Sequence, residues 1–287
     1  MTWLTPAFFV TALLYASVGF GGGSTYNALL ALAGVDYRLL PAVALTCNIL
    51  VVIGGTWRFH KAGLLPWKRA LPLVVISAPF AWMGGLTPIK ETLFLSLLAG
   101  SLLVAGLALL FQRDAPEPSP LRLDQPEADQ VSLPSRLREG STTELPSRLR
   151  EGLGEGQSLH RKATIADLLT GAGVGYLAGL VGIGGGIFLA PYLHITRWAG
   201  AKQIAATASL FILVNSIAGL SGQLLKLGGS GALPDVAAYW PLALAVIVGG
   251  QIGSFAGTKV LSPTLVKRAT GVLILYVAGQ LVWKLVG

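Results

Sequence analysis

Two glycine-rich stretches carry the residues best able to bind a ligand through their backbone. The first, GFGGGS, spans residues 19–24, and the second, GIGGGI, spans residues 182–187. Backbone N–H groups in such loops can surround a phosphate or another anion. Because each stretch lies inside a long apolar run, its ligand has to be deduced together with its surroundings.

Neither stretch fits a nucleotide-binding loop. A Walker-type loop needs a lysine followed by serine or threonine, and both stretches lack this pair. A dinucleotide-binding loop follows a strand and needs an acidic residue about 20 residues further on, and neither flank has the pattern of a strand. The apolar runs also contain no Ser–His–Asp set and no pair of carboxylates, so an enzyme is not expected.

The elements around these stretches are those of a membrane protein. The 287-residue chain is 53% hydrophobic and 12% charged, with a mean hydropathy of +0.67, whereas soluble domains carry about 25% charged residues. Most of its eight apolar runs are about 20 residues long, which is the length of a helix that crosses a bilayer. The runs are residues 4–33, 39–57, 69–86, 91–111, 164–195, 203–220, 236–257 and 265–286.

Each glycine triplet is expected to break its helix. An interior glycine costs about 1 kcal/mol of helix stability relative to alanine, so three in succession favour a break. Residues 24–33 then form a half-helix of about 15 Å, whose N-terminus lies near the middle of the bilayer. The free N–H groups and positive dipole end of such a helix suit an anion. Close packing between helices is the alternative explanation for the glycines.

Polar side chains within the apolar runs extend this candidate site. Their alternative role is a hydrogen bond between helices. The candidate substrate-binding residues are Gly21, Gly22, Gly23, Ser24, Asn27, Thr46, Asn48, Gly184, Gly185, Gly186, Thr207, Ser209 and Asn215. No catalytic residue is expected, and the one cysteine excludes a metal site built on several cysteines. No acidic residue lies deep in an apolar run, where a cation transporter normally has one.

The stretch 112–163 interrupts the apolar pattern. It holds nine of the 13 acidic residues and is rich in proline, glycine and serine, which predicts a disordered cytoplasmic linker. A helical docking segment is the alternative. The linker separates a first membrane repeat, residues 1–111, from a second, residues 164–287, and the matching glycine triplets indicate that the two halves are related.

The basic residues indicate how the halves are oriented. If each glycine-rich run enters the membrane and returns to the same side, most lysines and arginines lie on the linker side, as the positive-inside rule prefers. This arrangement predicts inverted halves with both termini in the periplasm. If each run crosses once, the bias is weaker and the halves are parallel. The net charge of +8 forms no basic stripe with interleaved aromatic residues, so nucleic acid is not an expected partner.

The second half carries a family resemblance. The stretch GLVGIGGGIFLAPYL at 179–193, followed by AATASLFILVNSIAGLSG at 205–222, resembles the TauE/SafE sulfite-exporter family. The first half departs from this pattern, since Ala28 stands where its counterpart has Pro191 and ALTCNIL replaces the Ala-Thr-Ser motif. The resemblance implies two related membrane halves, export of small sulfur-containing or organic anions such as sulfite and sulfonates, and no cofactor.

Together these patterns predict an all-α integral membrane protein, a polytopic bundle of two related four-segment halves, each opening with a glycine-broken helix and arranged as inverted repeats. We expect a secondary transporter of small anions in the bacterial inner membrane. An anion channel with the same loops as its filter, or a membrane scaffold or assembly factor acting through the linker, are the alternatives. The expected partners are a small anion, the lipid bilayer and a second copy of the chain.

Overall fold

The computed structural model describes residues 3–18, 20–111, 165–229, 231, 233–259 and 263–286. Within these ranges all regular secondary structure is helical. The helices are α1 (Leu4–Val18), α2 (Gly23–Leu32), α3 (Leu40–Lys61), α4 (Trp67–Leu86), α5 (Glu91–Phe111), α6 (Ile165–Val181), α7 (Gly186–Ile195), α8 (Ala201–Gly228), α9 (Leu233–Ala237), α10 (Trp240–Lys259) and α11 (Pro263–Val286). The predicted linker, residues 112–163, lies outside the described ranges.

Among the described residues, four helices are long and apolar enough to cross a membrane. They are Leu40–Lys61, Trp67–Leu86, Glu91–Ala108 and Ala201–Gly228, and shorter apolar helices pack beside them. Large apolar side chains such as Val75 and Val104 remain exposed on the outside of the bundle. A helix in lipid needs such an outer face. The chain is therefore a polytopic helical membrane protein.

Both glycine-rich runs are broken, as expected from the triplets. The first break separates α1 from α2 and the second separates α6 from α7, and each of the two following helices is 10 residues long. The second break is built on positive φ angles of +79° at Gly182, +78° at Gly184 and +81° at Gly185. These angles lie in the left-handed region that glycine adopts without strain. In the first break, Gly22 has a φ of −97°.

Helix α2 runs back along α1. The ring of Phe8 in α1 stacks on the ring of Tyr26 in α2, with 4.7 Å between their centroids. Further along α1, the hydroxyls of Tyr15 and Thr25 are 2.7 Å apart. A short connection at 33–39 leads into α3. Helix α3 is antiparallel to α2, because Gly182 touches Asn27 of α2 and Pro41 early in α3, whereas Gly23 at the start of α2 touches Asn48 further along α3. Helices α1 and α2 thus form a hairpin, and α1 and α3 run in the same direction.

Glycine contacts give the relative directions of the long central helices. Gly55 in α3 packs beside Ser209 in α8, whereas Gly219, further along α8, packs beside Leu45, which comes earlier in α3. The order of contacts is reversed, so α3 and α8 are antiparallel. The same reversal occurs between α5 and α11, where Gly106 meets Leu275 and Gly271 meets Leu110.

Two other helix pairs pack in parallel through backbone contacts at glycines. On α10, Gly249 lies against Phe9 of α1 and Gly253 lies against Leu13. Between α4 and α6 the corresponding contacts follow the same order, with Gly175 against Ser77 and Gly179 against Ala81. Small residues allow this close approach between helices in a membrane. The first helix of each predicted half therefore packs on a helix of the other half.

Candidate functional site

The two glycine breaks meet inside the bundle. A side chain at Gly23 would begin 3.0 Å from the carbonyl oxygen of Gly182, so the two loops touch through their backbones. Asn48 of α3 fills the space between them. Side chains at Gly21 or Gly23 would run into its amide, and one at Gly184 would begin 2.9 Å from its Nδ2. The loops therefore share one polar neighbour.

Two asparagine amides of the first half hold the loop of the second half. Asn27 in α2 donates from Nδ2 to the carbonyl oxygens of Val181, at 2.7 Å, and Gly182, at 3.1 Å. Asn48 donates from Nδ2 to the carbonyl oxygen of Ile183, at 3.2 Å. Neither asparagine has any surface exposed to solvent. These bonds join segments that lie more than a hundred residues apart in the chain.

Two helices begin where the loops meet. The N-cap residues of α2 and α7 are Gly22 and Gly185, which have no side chain to accept a hydrogen bond from the first-turn N–H groups. The first N–H groups of a helix have no acceptor within it. They also form the positive end of the helix dipole. Two buried helix N-termini thus offer donors and partial positive charge at one place.

Several buried polar atoms of α2, α3 and α8 have no hydrogen-bond partner among the described residues. They are the hydroxyl of Tyr26, Oδ1 of Asn27, Oδ1 of Asn48, both amide atoms of Asn215 and the hydroxyl of Ser216. The Ser216 hydroxyl lies 3.0 Å from the point where a side chain at Gly184 would begin. Leaving one buried polar group unpaired costs about 1–3 kcal/mol. Such a cluster calls for a partner, such as an ordered water molecule or a bound polar ligand.

The structure brings most of the predicted glycines together where the two loops meet. Asn27 of α2 and Asn48 of α3, which were also predicted, lie there as well. Gly21, Gly23 and Gly184 surround Asn48, as described above. Gly186 packs against Ile212 of α8. The other predicted residues of the two breaks lie in or cap the short helices that begin there: Gly22, Ser24, Asn27 and Gly185. Asn215 lies on α8, three positions after Ile212, which packs against Gly186.

Three predicted hydroxyls have partners of their own. Thr46 donates to the carbonyl oxygen of Ala42, and Thr207 donates to that of Gln203, both at 2.8 Å and one turn back in the same helix. Ser209 lies 3.0 Å from the hydroxyl of Thr56 on α3. The contacts that join the two loops do not include these three side chains.

Residues that the sequence did not single out complete the loop surroundings. Side chains at Gly184 or Gly186 would run into Ile212, and one at Gly22 would meet the ring of Tyr26. Ile212 and Tyr26 gave no signal, because an apolar or aromatic residue in an apolar run is expected to pack. Ser216 is different, because the sequence does mark it as a polar residue beside Asn215 within an apolar run, although it is not among the candidate binding residues.

A second polar cluster lies at the other end of α2. A cavity of about 380 Å³ is lined there by Asp36, Tyr37, Arg38, Glu91 and Lys284, among others. Lys284 of α11 donates from Nζ to the carbonyl oxygen of Ala31, at 2.6 Å. The pKa of the exposed Arg38 guanidinium is raised above its ordinary value, first by its hydrogen bond and charge interaction with Tyr37 and then by Asp36. This cavity is separate from the loops by the length of α2.

Metal binding has no support within the described ranges, where no three His, Cys, Asp or Glu side chains stand close enough to hold an ion. The polar atoms at the loops are amides, hydroxyls and backbone groups, which carry no full charge. The arrangement can therefore provide hydrogen bonds and helix dipoles to a small ligand.

Comparison with known proteins identifies a family of membrane transporters and relatives named as transporters. The family model described as "Sulfite exporter TauE/SafE" matches residues 4–281. The "Probable membrane transporter protein y4hK" of Sinorhizobium fredii is 31% identical over 98% of this chain and 97% of its own length. The "Probable membrane transporter protein MamO" of Magnetospirillum gryphiswaldense is 27% identical over 82% of this chain, which corresponds to 37% of the longer relative. No solved structure matches the chain.

Proposed function

We propose that this chain, which belongs to the sulfite exporter TauE/SafE family, carries small anions across the membrane through a site formed by its two glycine breaks. Membership of the family makes it a multi-pass membrane transporter and not an enzyme. The anion, the site and the direction of transport are our proposal. The substrates we expect are sulfite, sulfonates and related anions, moved outward across a bacterial inner membrane.

The observation that carries the proposal is the meeting of two uncapped helix N-termini beside unpaired polar groups. Each helix N-terminus is equivalent to about half a positive charge. Two of them, at α2 and α7, supply about one charge without any lysine or arginine. Ser216 and Asn215 add neutral hydrogen-bonding groups from α8. A small, singly charged anion matches this set in both size and charge.

We further propose that the halves are inverted repeats, with the linker in the cytoplasm and both termini in the periplasm. The antiparallel directions of α3 and α8 support this, because those helices occupy the same place in the two halves. The contacts at the loops support it as well. Asn48 touches Gly21, Gly23 and Gly184, and Ile212 touches Gly184, Gly186 and Gly21. If Gly21 is matched with Gly184, Gly23 with Gly186 and Asn48 with Ile212, each of the two contact sets becomes the other.

Transport by inverted repeats proceeds through rocking of one half against the other around a fixed central site. The hairpin of α1 and α2 fits this scheme, since each predicted half would present its half-helix from an opposite side. A carrier of this kind exchanges a bound anion for another on the far side. An anion channel built on the same loops would pass anions down their gradient without such exchange.

Counterflow in proteoliposomes tests the proposal. We expect external labelled sulfite to enter faster when unlabelled sulfite is present inside, because a carrier returns loaded more readily than empty. A rate that depends only on the gradient would favour the channel. Deleting residues 113–162 should leave counterflow in place, and its loss in a folded, inserted protein would favour a role for the linker beyond connection.

A matched pair of variants tests the site itself. Ser216→Ala removes a buried hydroxyl that has no partner among the described residues, so transport should fall at least tenfold while stability is unchanged or slightly higher. Thr207→Val removes a hydroxyl that is satisfied within its own helix, so transport should stay near the wild-type rate. Equal transport rates in Ser216→Ala, Thr207→Val and wild type would refute the site.

A further inference from the structure

We infer that the transported anion is singly charged and carries a hydrogen-bond donor of its own, such as a hydroxyl group. This inference rests on the proposed function and specifies the chemistry of its substrate. It comes from the acceptor atoms at the loops, whereas the proposed function comes from the donors. The two sets of atoms make different demands on a ligand.

The orientation of two buried amides is determined by their neighbours. Asn27 faces the carbonyl oxygens of Val181 and Gly182, and Asn48 faces that of Ile183. A carbonyl oxygen can only accept, so the amide atom nearest to it has to be the NH₂ group. Turning either amide over would bring two acceptors together. The oxygen of each asparagine is therefore directed away from these carbonyls.

These two oxygens are buried acceptors without a donor. Oδ1 of Asn27 and Oδ1 of Asn48 have no hydrogen-bond partner in the part of the chain that the structure describes, and both residues are 0% exposed. Oδ1 of Asn48 lies directly against Gly21, at the first break. Asn27 touches the second loop through Nδ2, which lies 3.0 Å from the point where a side chain at Gly182 would begin. One unpaired acceptor thus lies at the first loop, and the other belongs to the asparagine that binds the second loop through its NH₂ group.

An anion without a donor satisfies only half of this site. Its oxygens accept from the N–H groups at the starts of α2 and α7, but they cannot pair with the asparagine oxygens and repel them. A hydroxyl on the same small molecule donates to such an oxygen and removes the mismatch. A dianion fits less well still, because two helix N-termini supply about one positive charge. The surroundings favour a donor-bearing monoanion over both.

Two sulfonates of similar size separate these cases. Ethanesulfonate and 2-hydroxyethanesulfonate are both fully ionised monoanions at neutral pH, and they differ by one hydroxyl. We expect the purified wild-type protein to bind 2-hydroxyethanesulfonate at least about tenfold more tightly, because the unpaired-acceptor penalty is removed. Calorimetric titration in nanodiscs measures both dissociation constants. Equal affinities, or no binding of 2-hydroxyethanesulfonate at millimolar concentration, would overturn the inference.

Variants identify the acceptors. Asn48→Leu and Asn27→Leu each remove one amide oxygen at similar side-chain volume. Because the single hydroxyl of the ligand donates to one of these oxygens, the preference for the hydroxylated sulfonate should fall to about threefold or less in one of the two variants. Thr46→Val, whose hydroxyl is satisfied by Ala42, should keep the full preference. An unchanged preference in both leucine variants would overturn the assignment of the acceptors, and the wild-type ratio decides the inference even if one variant does not fold.

The result also separates this inference from the proposed function. If both sulfonates bind equally and Ser216→Ala weakens both, the anion site stands and the requirement for a donor is wrong. If Ser216→Ala weakens neither while the preference for the hydroxyl remains, the ligand binds at another place and the proposed site is wrong. Each pattern is read from the same titrations.

Discussion

The two glycine breaks share a sequence pattern but use their glycines for different reasons. In the second break, Gly182, Gly184 and Gly185 all have positive φ angles, which other residues rarely adopt. In the first break, Gly22 has an ordinary negative φ of −97°. Its missing side chain matters because Tyr26 lies directly against it. The second loop is thus determined by backbone conformation, and the first by close packing.

The residues that face the breaks differ as well. Asn48 occupies the position in the first half that Ile212 occupies in the second, as judged by the glycines they touch. The first half therefore supplies amides that hold the loops together, and the second half supplies the carbonyl groups they bind. We conclude that, at this one matched position, a similar backbone carries an amide in the first half and an apolar side chain in the second.

The largest effect in this comparison is expected at Gly182. An alanine there would combine a φ of +79° with a side chain placed 2.5 Å from the Cα of Pro41, and neither problem can be relieved by a side-chain movement. Gly182→Ala should lower the free energy of unfolding by about 3 kcal/mol or more. Unfolding in detergent measures the change. A loss below about 1 kcal/mol would mean that the second loop is not determined by its backbone.

Adding a side chain to the first break should have a smaller effect on stability, because the added atoms would meet a side chain that can move. Gly22→Ala should destabilise the protein by about 1–3 kcal/mol through contact with Tyr26, as an overpacked core does. Adding Tyr26→Leu should restore much of that loss. The matched pair Gly185→Ala with Phe211→Leu should show no such rescue, since the φ of +81° at Gly185 remains unfavourable. Equal rescue in both pairs would remove the distinction between the loops.

Exchanging the facing residue tests the division of chemistry between the halves. Asn48→Ile gives the first half the residue type of the second and removes the hydrogen bond to Ile183. Transport of 2-hydroxyethanesulfonate should fall at least tenfold, with a loss of stability of about 1 kcal/mol from that bond. Ile212→Val, which keeps the apolar character, should reduce transport by less than threefold. Similar transport in the two variants would contradict the division.

The smallest effect is expected where the half-helices end. Helix α2 ends on Lys284 of α11, which donates to Ala31, whereas α7 ends on its own Thr196, whose hydroxyl donates to the carbonyl oxygen of Tyr192. Lys284→Met and Thr196→Val should each lower the unfolding free energy by about 1 kcal/mol or less. Only Lys284→Met should loosen α2 from α11, which hydrogen exchange of the α2 amides can detect. Equal exchange in both variants would show that the lysine does not anchor α2.

Much of the fold follows from the sequence, because the apolar runs and glycine triplets have strong local causes. Helix breaks at the triplets and membrane-length helices were predictable from propensity and length alone. The pairing of the halves was harder. Aligning the halves on their glycine triplets and on Thr46 and Thr207 pairs Asn48 with Ser209, whereas the contacts pair Asn48 with Ile212. Residues 209 and 212 are nearly one helical turn apart and share a face, so spacing alone could not separate them.

The candidate site was predictable in its backbone and less so in its side chains. Glycine loops and half-helices can be read from composition, and Asn27 and Asn48 from their polarity in apolar runs. Thr46 and Thr207 look equally polar, yet both are satisfied by their own helices. Whether a hydroxyl bonds back to its own helix or stays free depends on its rotamer and neighbours, which spacing does not report.

The central claim is that the starts of α2 and α7 hold the transported anion together. A cryo-electron microscopy structure with 2-hydroxyethanesulfonate tests it most directly. We predict density for the sulfonate within hydrogen-bond distance of the first-turn N–H groups of both helices, with Ser216 beside it. Density at another place, such as the cavity next to Lys284, with the space between the two helix starts unchanged, would contradict the account.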